Sequence, residues 1–522
     1  MIENIDNNVE ELIERVKDDN VVTFRNLDPP VTPEEERKVR RKMDLRLPPF
    51  VMLLYIVTWL DRSSLGNAAL MNIQEDLNMS SSQFSFAVSI FYIGTLVADP
   101  FVNLGLHFFR PSLYIASAMF IWGGITMLMA TVSNPQGMFA LRFFLAVFEA
   151  VLIAGVPALF STWYPRNEWG SRIMVYLSAT PIAGAFGGWI AYGVAHIESH
   201  LPPWKWLFII EGLLTVVVAF SCVYVLPDRP HNTRWLKPRE REVMEWRMLR
   251  DGNRPQESMI EDIDNNVDEL IERVKDDNIV AFRNLDPPVT PEEEKKEFLR
   301  SMADWRMCVN IVIFMTQNFS TYTLSTFTPL IVRSFGYSQV RSQLMVAPPF
   351  CVAFVMVFVV APISDRLNRR ASIYVVNSVV ACAGYLMLAL IPVENQSARY
   401  GALFLVIPAI LSGVVLTLGN IQDNCCGDLK KSCAVGLYQC AGSAMGIATG
   451  YILPTADAPK YLRGFWTLFA MTAFGLVLSA FTSWSMDREN KRRDKKYGKP
   501  PTDIIIDFSE LGEKHPFWRY TI

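Results

Sequence analysis

From Phe50 onward the chain repeats one pattern, a nearly uncharged stretch followed by a short polar turn. Each stretch runs about 20 residues, long enough as an α-helix to cross a hydrocarbon layer roughly 30 Å thick. A soluble fold would instead alternate apolar and polar residues at helical or strand period. The apolar share, 51%, is only a little above ordinary, so its distribution rather than its total decides the class. Twelve spans can be drawn, at 48–70, 84–104, 111–132, 137–163, 172–195, 204–226, 306–333, 343–363, 371–391, 400–421, 432–454 and 464–486. The expected fold is an all-α membrane protein, with twelve transmembrane helices in two six-helix bundles at 48–226 and 306–486. Tails at 1–47 and 487–522 and a hydrophilic linker at 227–305 complete it. Two such halves predict a site between them near mid-membrane depth.

Lys and Arg in short loops set the orientation. Arg37, Lys38, Arg40, Arg41 and Lys42 precede the first span, and Arg166, Arg366, Arg369, Arg370, Lys430, Lys431 and the run from Arg488 to Lys496 fall on the same side. The first loop on the opposite side, Asn72 to Gln83, holds Glu75 and Asp76 but no Lys or Arg. Both termini and the linker are therefore expected in the cytoplasm, in a multi-pass protein of the plasma membrane. Two sequons, Asn78-Met-Ser and Asn395-Gln-Ser, fall on the predicted outer face. The acidic N-terminus has no apolar h-region, so no cleavable signal peptide is expected. The net charge of -3 averages unlike regions, and no basic, aromatic-interleaved face suggests nucleic acid. The eight cysteines lie in or beside apolar stretches without a CxxC pair and read as reduced packing residues.

The polar segments carry a second repeat. Residues 2–38 recur at 260–296 with identity at 32 of 37 positions, the differences being Asn4/Asp262, Glu10/Asp268, Val21/Ile279, Thr23/Ala281 and Arg37/Lys295. Within each copy Ile5, Val9, Leu12, Ile13 and Val16 or their counterparts recur at helical spacing, which predicts a short amphipathic helix. The following Asp-Pro-Pro-Val-Thr-Pro reads as a breaker and extended linker. Two like copies could pair through their apolar stripes, but the simpler reading is a duplication without a separate role.

Ionisable residues inside spans are expensive and mark function by default. At a rise of about 1.5 Å per residue, Asp61 lies about 20 Å along span one, and Glu149 lies about 18 Å along span four from the opposite face. Both carboxylates reach a central depth. Arg62 follows Asp61, and Arg142 shares one helical face with Glu149. The second half offers neutral groups instead, notably Gln317, Asn318, Tyr322 and Thr323 in span seven and Tyr438, Gln439 and Ser443 in span eleven. This division suggests that the first half supplies cations for an anion and acids for protons, while the second half supplies hydrogen bonds. The competing reading is a set of structural ion pairs that fix helix register. Asp99 and Glu211 read as structural or gating, and Gly184, Gly187 and Gly188 as sites of close helix packing. The Asp365-Arg366-Leu-Asn-Arg-Arg stretch is either a gating loop or plain inner-face positive charge. No phosphate-binding loop, metal-spaced His/Cys cluster or nucleophile elbow appears, and the five His lie at span ends, in loops or in tails. Neither an enzyme nor a cofactor is expected.

The stretch Leu60-Asp-Arg-Ser-Ser-Leu-Gly-Asn-Ala-Ala resembles the Asp-Arg-x-Asn-Ile-Gly-Asn-Ala element of the anion:cation symporters of the major facilitator superfamily. It looks most like the fungal allantoate and nicotinate permease branch. Leu141-Arg-Phe-Phe-Leu-Ala-Val-Phe-Glu-Ala, Trp163-Tyr-Pro-Arg, Trp206-Leu-Phe-Ile-Ile-Glu-Gly, Arg488-Glu-Asn-Lys-Arg-Arg-Asp and Phe517-Trp-Arg-Tyr add to the likeness. The resemblance implies a major facilitator fold and proton-coupled symport of small organic anions by alternating access. It makes Asp61 and Glu149 the proton sites, Arg62 the anion-binding cation with Trp59 beside it, and Arg142 the charge partner of the span-four acid. Departures fall at Ser64, where the family has Asn, at Asp99-Pro-Phe-Val-Asn and at Gly442-Ser-Ala-Met-Gly, so the substrate does not carry over.

The expected function is uptake of a small carboxylate, such as a vitamin or ureide acid, with protons, by a monomer in the lipid bilayer. The substrate-binding residues would be Arg62, Trp59, Arg142, Gln317, Asn318, Tyr322, Tyr438 and Gln439, with Asp99, Asp365 and Arg366 gating. The alternatives are export of an acidic secondary metabolite, or a nutrient sensor that does not transport.

Overall fold

The computed structural model describes residues 23–25, 31–108, 110–164, 168, 172, 175–227, 233, 235–250, 279–281, 304–367, 369–425, 428–454, 457–498 and 518–521. The long helices of the first half are α2 (Leu47–Leu70), α4 (Ser81–Phe108), α5 (Pro111–Met129), α6 (Pro135–Trp163), α7 (Ala179–Val194) and α8 (Pro203–Val225). Those of the second half are α10 (Trp305–Ser334), α11 (Gln339–Leu367), α12 (Arg370–Leu390), α13 (Gln396–Asn424), α14 (Asp428–Thr449) and α15 (Leu462–Tyr497). A one-turn helix, α3 (Ile73–Asp76), follows α2, and two polar helices, α1 (Pro33–Asp44) and α9 (Pro238–Arg250), lie outside the apolar set.

The helices begin where the sequence supplies N-terminal chemistry. Pro111 and Pro203 occupy first-turn positions, where the missing N–H costs nothing. Before α4, Ser80 and Gln83 bond reciprocally, backbone N–H to side chain in each direction, at 2.9 and 3.2 Å, closing a capping box. Among the described residues, nine helical segments are long and apolar enough to cross a bilayer. The shortfall against twelve comes from α7, with 16 residues, and from α10 and α14. In α10 a polar run from Thr316 to Thr328 is buried, with hydroxyls turned back onto the preceding turn, Thr321 to Gln317 O at 2.9 Å and Thr323 to Phe319 O at 2.7 Å. Such back-bonding satisfies polar atoms without a partner helix.

The chain divides into two compact units. The larger spans residues 49–157, 170–226 and 296–522 and so contains helices of both halves. In it α5 packs along α8, α12 packs against α13 and α15, and the halves meet where α7 lies on α11 and α4 on α14. Three close approaches mark the end of the bundle nearest Leu70. A Cβ on Gly66 would run into the Thr326 carbonyl, and one on Gly188 would lie 2.6 Å from Gln343 O. Ser89 Oγ donates to Ile447 O at 2.7 Å. At this end the backbones of the two halves touch with no room for a side chain, so Gly188 has the packing role read from the sequence.

The smaller unit comprises residues 1–48, 158–169 and 227–295. Its α1 is capped by Thr32 and Glu35 in a second reciprocal box. α1 is tied to α9 by Lys42–Glu240 at 2.5 Å and Arg247–Glu36 at 3.2 Å. Glu168 receives both Arg247, at 2.8 Å, and Arg40, at 3.3 Å. Trp235 stacks on Trp163 at 5.8 Å with the Arg46 guanidinium over it. The duplicated segments add a feature the sequence did not suggest, an antiparallel ladder of Thr23–Arg25 on Ile279–Ala281 that pairs Thr23 with Ala281, its own counterpart in the second copy. The amphipathic helix expected at residues 5–16 and in the second copy lies outside the described residues.

Candidate functional site

On α2, Tyr55, Trp59 and Arg62 recur at four- and three-residue spacing and share one face. Around them gather aromatic rings from other helices. Tyr176 lies 4.1 Å from Tyr55, and Tyr322 of α10 lies 6.1 Å from Trp59 and 4.8 Å from Tyr92 of α4. The Arg62 guanidinium sits over Trp59 at 5.3 Å and over Phe91 at 5.2 Å, and Arg142 approaches Phe91 at 5.0 Å. Aromatic faces of this kind hold desolvated cations.

The charges are paired across helices. Arg62 Nε donates to Glu149 Oε1 at 2.6 Å, and Glu149 is fully buried. Asp61 Oδ2 accepts from Trp122 Nε1 of α5 at 2.9 Å and from Thr215 Oγ1 of α8 at 3.3 Å. Arg142 Nη1 reaches the Asp61 backbone carbonyl at 3.4 Å. The direct ion-pair partner of Glu149 is thus Arg62, while the expected Arg142 acts on Glu149 through its charge without a direct pair. Seven residues of helix separate Arg142 from Glu149 by about 10 Å along the axis, so a common face gives a longer-range attraction rather than a direct pair.

Beside this cluster lies a cavity of about 60 Å³, lined among others by Tyr55, Trp59, Arg62, Asn318, Tyr322 and Gln439. Trp59 Nε1 is buried there without a hydrogen-bond partner. The structure therefore brings Asp61, Arg62, Trp59, Glu149, Arg142, Asn318, Tyr322 and Gln439 into one region. Gln317 and Tyr438 are elsewhere. The Gln317 amide donates to Ile410 O and accepts from Tyr374 at 3.2 Å, and Tyr438 packs edge-on against Phe314 in an apolar cluster with Met307 and Ile421. Both are buried by packing within the second half, a use of polar side chains that residue type alone does not reveal. Asp99 is buried with neither carboxylate oxygen hydrogen-bonded. Arg366 is exposed at the last turn of α11, the Asp365 side chain lies outside the described residues, and in the same stretch Arg370 pairs with Asp423 at 3.0 Å.

Sequence reasoning missed Tyr55, Tyr92, Tyr176, Trp122 and Thr215. Tyr55 was findable, four residues before Trp59 on the face of Arg62. Trp122 carries no such signal, since a tryptophan in an apolar span is ordinarily packing.

Comparison with known proteins follows the same lines. Residues 51–450 match the sequence profile described as the Major Facilitator Superfamily. The chain is 29% identical to the MFS-type transporter cnsO of Penicillium expansum, over 96% of this chain and 93% of that one. It is 28% identical to the major facilitator-type transporter hxnP of Emericella nidulans, over 94% of each. The partially occluded inward open conformation of the xylose transporter XylE from E. coli superposes with a TM-score of 0.58 at 13% identity, over 83% of this chain and 97% of that one; at that identity the likeness speaks for the fold.

Proposed function

Because the chain belongs to the Major Facilitator Superfamily, and is therefore a multi-pass membrane transporter, we propose that it imports a small organic anion together with protons by alternating access. The observation that carries this reading is the position of Arg62. Its Nε holds buried Glu149, while the same side chain lines the cavity beside the unpartnered Trp59 N–H. A carboxylate entering the cavity would take hydrogen bonds from Arg62 and Trp59, since a guanidinium fork fits a carboxylate. Glu149 would then lose its counter-charge in a site shielded from water, where an unpaired carboxylate costs several kcal/mol. Taking a proton removes that cost. Anion loading and proton loading thus favour each other through one side chain. Asp61, held by Trp122 and Thr215 rather than by a cation, is the second proton site. Asn318, Tyr322 and Gln439 supply neutral contacts from the second half. With both termini in the cytoplasm, as the Lys and Arg distribution argues, an inside-negative potential favours entry of any loaded complex with net positive charge.

The test is uptake of a panel of radiolabelled small carboxylates into cells lacking their own carboxylate permeases, with and without a protonophore. We expect accumulation that collapses with the gradient, and its loss in both Asp61→Asn and Glu149→Gln at unchanged protein level. Accumulation that persists in the double variant overturns the coupling. Higher retention of acids in cells deleted for the protein would indicate export instead.

A further inference from the structure

The first half holds two further buried acids that the coupling scheme above leaves unused, Asp99 of α4 and Glu211 of α8. Glu211 of α8 is 1% exposed, and neither carboxylate oxygen has a hydrogen-bond partner. Its position is set by a close helix crossing. A Cβ on neighbouring Gly212 would lie 2.6 Å from Gly123 O and 2.7 Å from the Met127 side chain of α5. That contact presses α8 onto the turn of α5 that carries Trp122, the donor to Asp61. One turn beyond Glu211, the Thr215 hydroxyl is shared between the Glu211 backbone carbonyl at 3.0 Å and Asp61 Oδ2 at 3.3 Å. Glu211 therefore stands beside the Asp61 end of the cluster.

The groups that act on Glu211 are Asp61 of α2 and Arg142 of α6. Neither α5 nor α7, the helices packed against α8, carries an acidic or basic residue. A fully ionised cluster would hold four carboxylates (Asp61, Asp99, Glu149, Glu211) against two guanidinium groups (Arg62, Arg142), two negative charges in excess. Asp99 and Glu211, buried with no donor, are the most costly of the four to ionise. Asp99 and Glu211 are accordingly the groups on which neutralising protons are most favoured, and of the two only Glu211 stands beside Asp61. An arriving monoanion adds one more negative charge and calls for a further proton on Asp61 or Glu149.

We propose that Glu211 is a third proton-exchanging carboxyl of the coupling site, taking up a proton and releasing it as its neighbour Asp61 changes charge during the cycle. The step is a protonation only, carboxylate plus proton to carboxylic acid and back, and needs no other reactant. The inference rests on the proton-coupled reading of the same site and adds one proton to its inventory. A structural role, in contrast, would leave Glu211 permanently protonated.

Infrared difference spectroscopy between alkaline and acid pH, on the full-length protein in lipid nanodiscs and without any substrate, separates the two. The readout is the carboxylic-acid C=O band that appears on acidification. We expect Glu211→Gln and Asp61→Asn each to remove part of that band, and Glu211→Asp, which keeps the carboxyl but moves it by one methylene, to retain its intensity at a shifted position. A band diminished by Asp61→Asn but unchanged in both Glu211 variants overturns this inference and leaves the proposed coupling standing. A band that no variant of Asp61, Glu149 or Glu211 changes overturns both. If Glu211→Gln does not fold, the Glu211→Asp comparison decides alone.

Discussion

Arg62 is bound on three sides, by Glu149 through Nε and by the Trp59 and Phe91 rings. A lysine keeps the charge but has neither the planar fork nor the flat surface that stacks on aromatic rings. Arg62→Lys should therefore raise the half-saturating anion concentration at least tenfold, about 1.4 kcal/mol, while the protein still reaches the membrane in normal amount. Concentration-dependent uptake beside a surface-expression blot checks this. An unchanged half-saturation would mean that the cavity-facing side of Arg62 does not touch cargo. At this scale much was legible beforehand. Depth arithmetic alone singled out Asp61 and Glu149, because charges in lipid are rare enough to be conspicuous. The pairing was not legible, since axial spacing along one helix says nothing of what a neighbouring helix presents. Nor was the inward turn of Gln317 toward Tyr374 and the Ile410 carbonyl, because a buried amide serves packing and binding equally well.

Among the elements, α1 and α9 are held by carboxylates whose titration can be followed. The Thr32 backbone N–H, bonded to its carboxylate, and the Arg239 side chain hold Glu35 below its ordinary 4.5. Partial burial pushes Glu240 up, but the Lys237 N–H and Lys42 together hold it below the same value. A carboxyl depressed in the folded state stabilises it above the unfolded pKa, and that contribution is lost as pH falls through the folded one. The α1–α9 junction should thus stay closed from neutrality down to about 4.5 and loosen only below it. The difference in fluorescence between the parent and Trp235→Phe reports it, and a transition near pH 7 would contradict this assignment. Thr32→Ala, which removes one half of the capping box, should weaken α1 by about 1 kcal/mol and move that transition to higher pH. Helix positions were readable from hydropathy because lipid demands uninterrupted backbone bonding. The helices that hydropathy describes worst, α10 and α14, owe it to buried polar residues in the one and a charged first turn in the other. The ladder between Thr23 and Ala281 could not be read at all, because a chain paired with its own copy uses no residue type that a solvated strand would not.

Across the whole larger unit, the halves touch at the Leu70 end through Gly66 on Thr326 and Gly188 on Gln343. In the alternating-access cycle proposed above these contacts belong to one state, since that cycle requires the same surfaces to part. Gly66→Val and Gly188→Val should act as wedges that disfavour this state. We expect uptake to fall to background in both, with monodisperse, membrane-inserted protein retained on fluorescence-detected size-exclusion chromatography. Aggregated protein would instead make these glycines a requirement of folding.

The small size of the central cavity has a consequence for energy conservation. About 60 Å³ has room for only a few water molecules, fewer than a hydration shell needs. A bare sodium ion passing through would have to shed most of its water beside the fixed positive charge of Arg62, which repels it. Slippage of such ions is thereby suppressed without any dedicated selectivity filter, and membranes containing the carrier should keep their electrical resistance when no cargo is offered.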